Sequence, residues 1–135
     1  MHKIVNNLIL IENTIKEKLN NTKIPTIIAV TKTFPMSKIL PLIDYEQKHF
    51  GENKVQEAID KWTDLKNNNK NIKLHLIGRL QTNKVKPALR IFDYIHSLDS
   101  EKLAIKISDE QVKQGKNPKI FIQVNIGNED QKSGI

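Results

Sequence analysis

The sequence predicts an α/β fold built around a parallel sheet. Short runs of β-branched and apolar residues begin near residues 27, 48, 72, 94 and 120, so they recur every 21 to 26 residues. Their composition is typical of strands that are buried on both faces. A helical pattern separates each run from the next, and this alternation indicates successive βα units. A doubly wound open sheet and a (β/α)8 barrel both fit, although five strands would leave a barrel three short.

The helices are predicted from apolar periodicity and from residues that cap helix ends. A helix precedes the first strand, because apolar residues recur there in steps of three and four: Ile4, Leu8, Ile11, Ile15 and Leu19. Ser37 is predicted to cap the second helix, and Asp99 or Ser100 to cap the last one. Gly115 is predicted to end that last helix.

Composition and length indicate one ordinary soluble domain. A chain of 135 residues is long enough for one domain and short for two. The absence of cysteine excludes disulfides, thiolate chemistry and Cys-based zinc sites. The first residues lack a continuous apolar run and Glu12 interrupts the apolar positions after them, so neither a signal peptide nor a membrane span is predicted. We therefore expect a cytoplasmic protein.

The net charge of +7 is concentrated in one stretch of the chain. No acidic residue lies between Leu65 and Phe92, whereas seven basic residues do: Lys66, Lys70, Lys73, Arg79, Lys84, Lys86 and Arg90. Such a stretch could bind nucleic acid or phosphate. A solvated face is the more ordinary explanation, and the centre of the stretch lacks aromatic residues for base stacking. Nucleic acid is therefore not expected as a partner.

Lys32 is the first candidate for chemistry. It follows the apolar run 26–30, and Thr33-Phe34-Pro35 cannot continue a strand. Because side chains alternate along a strand, Lys32 shares a face with Val30. We expect the ammonium to be largely desolvated there, which lowers a lysine pKa and favours the neutral amine that forms Schiff bases with aldehydes. The alternative is an ordinary solvated lysine, one of 20 in the chain.

Polar clusters follow three of the predicted strands, at the sheet edge where α/β proteins bind ligands. They lie at 50–53, at 77–84 and at 124–134, and at 50–53 the pattern alone favours a strand-to-helix turn with an N-cap over a ligand site. No G-x-G-x-x-G motif is present. His49, His75 and His96 lie on or beside strands without carboxylates at ligand spacing, so hydrogen-bonded structural histidines are favoured over a metal site.

Taken together, these motifs closely resemble the pyridoxal phosphate homeostasis protein family, also called the YggS/PROSC family. The resemblance runs from residue 1 to residue 135 and rests on segments that occur in order with the right spacing: 29–35, 50–57, 77–84, 95–99 and 124–134. One departure is Tyr45-Glu46, where the family usually has an Ala-Gly pair.

The resemblance implies a fold-type III (β/α)8 TIM barrel with an additional N-terminal helix. It also implies pyridoxal 5′-phosphate bound as a Schiff base to Lys32, with Asn53 beside the cofactor. Ala29, Ile77 and Gly78 fall where the family's strands line the ring. Family members buffer this cofactor and have no established catalytic reaction, so neither a catalytic residue nor a metal is implied.

The resemblance also implies that residues 1–135 form an incomplete barrel domain, with the N-terminal helix and about five βα units. The family's barrel continues for roughly three more units, which carry the phosphate site and an arginine near the pyridine nitrogen. A complementary C-terminal chain or self-association is therefore expected. The alternatives are a fragment of a fold-type III enzyme, such as an amino-acid racemase, and one half of a split barrel.

Overall fold

The computed structural model describes residues 2–20 and 22–135, so Met1 and Asn21 lie outside the described residues. Helices and strands alternate along the chain as α1 (Lys3–Leu19), β1 (Ala29–Val30), α2 (Met36–Asp44), β2 (His49–Glu52), α3 (Val55–Asn68), β3 (Lys73–Leu76), α4 (Val85–Ile91), β4 (Tyr94–Leu98), α5 (Glu101–Gln114) and β5 (Lys119–Ile122). A 3₁₀ turn, Thr82–Lys84, leads into α4. The predicted α/β class is confirmed. None of the described helices is both long and apolar enough to cross a membrane.

All five strands lie in one parallel sheet, in the order β1-β2-β3-β4-β5. Each strand therefore pairs with the strand that precedes it in the sequence. A doubly wound sheet reverses its strand order at a switch point, whereas a (β/α)8 barrel adds its strands consecutively. The observed order is that of the barrel. Within the described residues the sheet stays open, because the outer edges of β1 and β5 have no strand partner.

The core lies between the sheet and the helices. Phe50 and Leu74 are fully buried on this helix-facing side, where Phe50 packs against Trp62 of α3. We call the other side the inner face. Its residues follow from the register and from strand alternation: Ile28, Val30, His49, Gly51, His75, Tyr94, His96, Lys119 and Phe121.

The expectation that β1 is buried on both faces is wrong. Val30, on the inner face of β1, is 52% exposed, and Phe121, on the inner face of β5, is 51% exposed. The reason is that a barrel buries its inner face only when strands close around it. In the described residues the middle of this side is buried at Gly51 and His75, whereas the apolar side chains of both edge strands remain in contact with solvent.

The helix ends agree with the predictions at α5 and differ at α2. The Ser100 side chain accepts a hydrogen bond from the Leu103 amide at 3.2 Å, and Gly115 ends α5 in the left-handed region with φ of 63°. At α2 the predicted Ser37 cap is wrong. Pro35 occupies the cap position in an extended conformation, so Ser37 already lies within the first turn.

Candidate functional site

Three predicted site residues meet at the carboxyl edge of the sheet. In the register, Val30 lies opposite Gly51. Hydrogen bonds from Thr31 N to the Gly51 oxygen and from Ile77 N to the Glu52 oxygen, both 2.9 Å, continue the ladders past the strand ends. Lys32, Asn53 and Ile77 therefore lie at the carboxyl ends of three neighbouring strands, β1, β2 and β3.

Lys32 is exposed, so the expectation of a largely desolvated ammonium is wrong for this structure. The cause is its position in the fold and not its sequence context. Lys32 lies in a turn directly after the edge strand β1, whose outer edge has no strand partner among the described residues. Its side chain can therefore be reached by a small molecule from solvent.

Apolar side chains form a floor beside Lys32. A β-carbon at Gly51 would lie 3.3 Å from Ile28 Cγ2 and 3.5 Å from the Cγ2 and Cδ1 atoms of Ile77. The two isoleucines thus converge over the glycine from either side. The resulting surface is small, shallow and apolar, which is the kind of surface that packs against a flat ring.

Gly78 fixes the position of Asn53. A β-carbon at Gly78 would lie 2.9 Å from Asn53 Cβ and would clash with the Asn53 backbone oxygen, so only glycine allows the two loops to come this close. Asn53 Oδ1 is buried and accepts no hydrogen bond from the described residues. Because buried polar atoms are almost always paired, this unpaired acceptor is a feature that a bound polar ligand would explain.

Ala29 is the predicted site residue that the structure does not bring to this face. It lies opposite Phe50 in the register and packs against the core on the helix-facing side. Alternation along β1 therefore directs its side chain away from Lys32. At most the backbone of Ala29 borders the candidate site.

A buried ion pair lies behind the Lys32 segment, and the sequence analysis missed it. Glu52 is fully buried, and its Oε1 lies 2.6 Å from Lys61 Nζ and 2.8 Å from Trp62 Nε1. Glu52 is the last residue of β2, and α3 begins three residues later at Val55. The clue that the sequence offered was the pair Glu57 and Lys61. Residues four apart lie on the same side of a helix, so both charged side chains could be placed next to the apolar face of α3.

The three histidines bond to one another across the inner face. His49 Nδ1 lies 2.9 Å from His75 Nε2, and His75 Nδ1 lies 2.9 Å from His96 Nε2. Desolvation, with a smaller effect of the other two histidines, lowers the pKa of His75 to about 4. Desolvation also lowers the pKa values of His49 and His96. The three histidines therefore form a neutral, hydrogen-bonded row, which agrees with the prediction of structural histidines.

The basic stretch 66–90 is divided between the two ends of the sheet. Lys66, Lys73 and Arg90 line a cleft of about 750 Å³ at the amino ends of β3 and β4. Lys66 is half-buried there and forms an ion pair of 2.5 Å with Asp93. Arg79, in contrast, follows β3 at the carboxyl edge. The basic residues of the stretch 66–90 are therefore close in the sequence but do not form a single basic surface.

The cluster after β5 folds back on itself. The Asn125 side-chain amide donates to the Glu129 backbone oxygen at 2.8 Å, and the Asn125 backbone amide donates to the Ile135 oxygen at 2.8 Å. Gly134 has a φ of 123°, and a β-carbon there would lie 2.7 Å from Asn125 N. Asn125 is therefore occupied in closing this loop.

The fold and the edge cluster define a barrel-type α/β protein with a lysine at the carboxyl end of its first strand. Comparison with protein families gives a match to the alanine racemase N-terminal domain over residues 6–135. The chain belongs to that family.

The relatives include pyridoxal phosphate homeostasis proteins, which confirms the resemblance seen in the motifs. The one from Haemophilus influenzae is 36% identical over 125 residues, covering 93% of this chain and 53% of the relative. The one from Buchnera aphidicola is 37% identical over 139 residues, covering 100% of this chain and 60% of the relative. The chain thus spans little more than half the length of these relatives.

Solved structures resemble the chain over most of its length. PipY from Synechococcus elongatus without pyridoxal phosphate has a TM-score of 0.76 at 36% identity, covering 91% of this chain and 58% of PipY. The structure of PipY with pyridoxal phosphate bound has a TM-score of 0.73 at 37% identity, covering 87% of this chain and 55% of PipY. A Bifidobacterium adolescentis protein of unknown function has a TM-score of 0.80 at 30% identity, covering 96% of this chain and 56% of that protein.

Proposed function

We propose that the chain binds pyridoxal 5′-phosphate and takes part in cofactor homeostasis in the cytoplasm, with the cofactor held as a Schiff base on Lys32. The observation that supports the proposal is Asn53 Oδ1, which is buried and lacks a partner among the described residues, at the end of the strand next to the one that exposed Lys32 follows. The names of the relatives and the PipY structure with pyridoxal phosphate support the same ligand.

In this proposal each residue of the edge has one role. Lys32 Nζ would bond to the aldehyde carbon of the cofactor, with release of one water molecule. The Asn53 amide offers its unpaired oxygen to a polar group of the ligand. Ile77 supplies apolar surface for the ring, and Gly78 keeps Asn53 in place. When bound, pyridoxal phosphate supplies an electrophilic aldehyde on an electron-withdrawing ring.

The direct test is site-specific labelling. The protein is incubated with substoichiometric pyridoxal phosphate, reduced with borohydride and digested for mass spectrometry. We expect Lys32 to be labelled far ahead of the other 19 lysines. The variant K32A should lose the dominant adduct, whereas K38A, which removes an exposed lysine of α2, should keep it. Uniform labelling of surface lysines would contradict the proposal.

An amino-acid-converting enzyme is the second candidate, because the matched family is named for alanine racemase. We propose the non-catalytic role for this chain, since its relatives are named homeostasis proteins. The two candidates differ in turnover. Incubation of the protein with L-alanine and pyridoxal phosphate, followed by chiral chromatography, should yield no D-alanine above the level of the K32A variant. Lys32-dependent accumulation of D-alanine would favour the enzyme.

A further inference from the structure

The segment that carries Lys32 holds a strained conformation. Thr33, directly after Lys32, has a φ of 68°. Positive φ values are rare for β-branched residues, so the surroundings must hold Thr33 in place. The Phe34 amide also donates to the Thr31 oxygen at 3.1 Å, which closes a tight turn around Lys32. The shape of this turn sets the direction from which Lys32 projects.

Glu57 holds the strained residue. Its Oε1 accepts a hydrogen bond from the Thr33 amide at 2.6 Å. A carboxylate that accepts from a backbone amide makes a short, charge-assisted bond. That bond is also the main reason why the pKa of Glu57 is lowered. Glu57 lies on α3, 24 residues away in the sequence, so the contact is tertiary and not part of the turn.

Lys61 holds both ends of the same turn. Its Nζ donates to the Thr31 oxygen and to the Phe34 oxygen, each at 2.8 Å. The Lys61 side chain is only 8% exposed, and its charge is balanced by the fully buried Glu52 at 2.6 Å. The ion pair with Glu52 fixes the position of the Lys61 ammonium. Lys61 can therefore hold the carbonyl oxygens of Thr31 and Phe34 at a fixed distance from each other.

These contacts reach the turn from α3, which packs on the helix-facing side of the sheet through Trp62 and Phe50. The hydrogen bonds of Glu57 and Lys61 go to the backbone of Thr31, Thr33 and Phe34 and not to Lys32. We therefore expect Glu57 and Lys61 to act on a ligand at Lys32 through the backbone of residues 31–34.

We propose that Glu57 and Lys61 are positioning residues that hold the Lys32 turn in the shape required for attachment of the cofactor. The inference rests on the proposed function, because it assigns Lys32 as the attachment point. It extends that function by placing two determinants of Lys32 reactivity on α3.

The test compares two substitutions of Glu57 in the full chain. E57Q keeps an oxygen that can accept from the Thr33 amide, and E57A removes it. Because Glu57 is partly exposed, with a side-chain relative exposure of 30%, both variants should fold. We expect E57A to accelerate hydrogen exchange at the Thr33 amide, and to slow reductive labelling of Lys32, by about tenfold. E57Q should stay within about threefold of the wild type in both measurements.

A second pair of variants separates positioning from general stability. K61M removes the donors to the turn, whereas K66M removes a half-buried lysine with a similar role at the opposite end of the sheet, where Nζ donates to the Ile91 oxygen at 2.7 Å. K61M should slow Lys32 labelling by about tenfold or more, and K66M should leave it unchanged. Equal slowing by K61M and K66M would overturn the proposal, as would unchanged Thr33 exchange in E57A.

The hydrogen-exchange measurement needs no cofactor. If wild-type Lys32 is not labelled selectively, the proposed function fails. Exchange at Thr33 then still decides whether Glu57 and Lys61 hold the turn. If Lys32 is labelled selectively and E57A changes neither exchange nor labelling, the proposed function stands and the positioning role fails.

Discussion

Gly78 and Asn53 approach each other so closely that a β-carbon on the glycine would lie 2.9 Å from Asn53 Cβ and would clash with the Asn53 backbone oxygen. Their contact joins the loop after β2 to the loop after β3. It therefore couples the backbone next to the candidate ligand site to the strand beyond it. Glycine is required at position 78 because there is no room for a side chain. Its backbone conformation is not the reason, since its φ lies outside the left-handed region.

Substitution of Gly78 should separate the two loops. We expect G78A to lower the free energy of unfolding by about 1–3 kcal/mol, the usual cost of an overpacked site. Urea unfolding measures this change. The matched control is G127A, where a β-carbon would lie 3.6 Å from the nearest atom, in Glu129, and the expected change is below about 0.5 kcal/mol. Equal stability of G78A and wild type would contradict the close approach.

Stability should fall in mild acid because of His75. Its folded pKa is about 4, whereas an unfolded histidine titrates near 6.5. Between these values the unfolded chain binds the extra proton, so the free energy of unfolding decreases as pH falls from about 6.5 to about 4. The loss is at most about 3 kcal/mol. Asp93 opposes this shift, and His49 and His96 add to it.

Urea titrations at a series of pH values test the effect of His75. The variant H75Q should flatten the profile between pH 6.5 and 4. A wild-type profile without a slope in this window would contradict a lowered pKa of His75 in the folded protein.

The 135-residue polypeptide should distinguish poorly between pyridoxal phosphate and pyridoxal. In TIM barrels the phosphate site is commonly built by the loops after the last strands, and the described residues supply five strands. Charge-assisted hydrogen bonds to phosphate are worth about 1.5–3 kcal/mol each, so lacking two or three costs on the order of 3–9 kcal/mol. That is about two to six decades in affinity.

Parallel titrations with the two ligands, followed by the visible band of the Schiff base, test this expectation. Similar, weak affinities would agree with it. A preference for the phosphorylated ligand of more than about a hundredfold would show that residues of this polypeptide, such as those after β3, already bind phosphate.

The open sheet should make the isolated polypeptide self-associate. Ile122 on β5 is 61% exposed beside an unpaired strand edge of the described structure, and such edges recruit further strands. Sedimentation should show concentration-dependent oligomers. The variant I122K should reduce them, whereas V112K, at an 84% exposed position on α5, should not. A monodisperse monomer with a sharp thermal transition would contradict this prediction.

Sequence reasoning succeeded where local pattern decides structure. The strand spacing and the cap at Ser100 depend on residues close together in the chain, and both were predicted correctly. The exposure of Lys32 was not predicted, because burial depends on what covers the inner face and not on the neighbours of Lys32. The role of Glu52 was also missed, because its partners Lys61 and Trp62 are brought to it only by the docking of α3.

The consecutive strand order has a consequence for how this protein is made. Among the described residues each of β2 to β5 pairs with the strand just before it, so each of these ladders closes a loop of roughly twenty residues. The sheet can therefore extend at one edge while the polypeptide emerges from the ribosome, amino-terminal units first. For the same reason, a break in the chain between two units interrupts a single strand-to-strand ladder and leaves the preceding ladders intact.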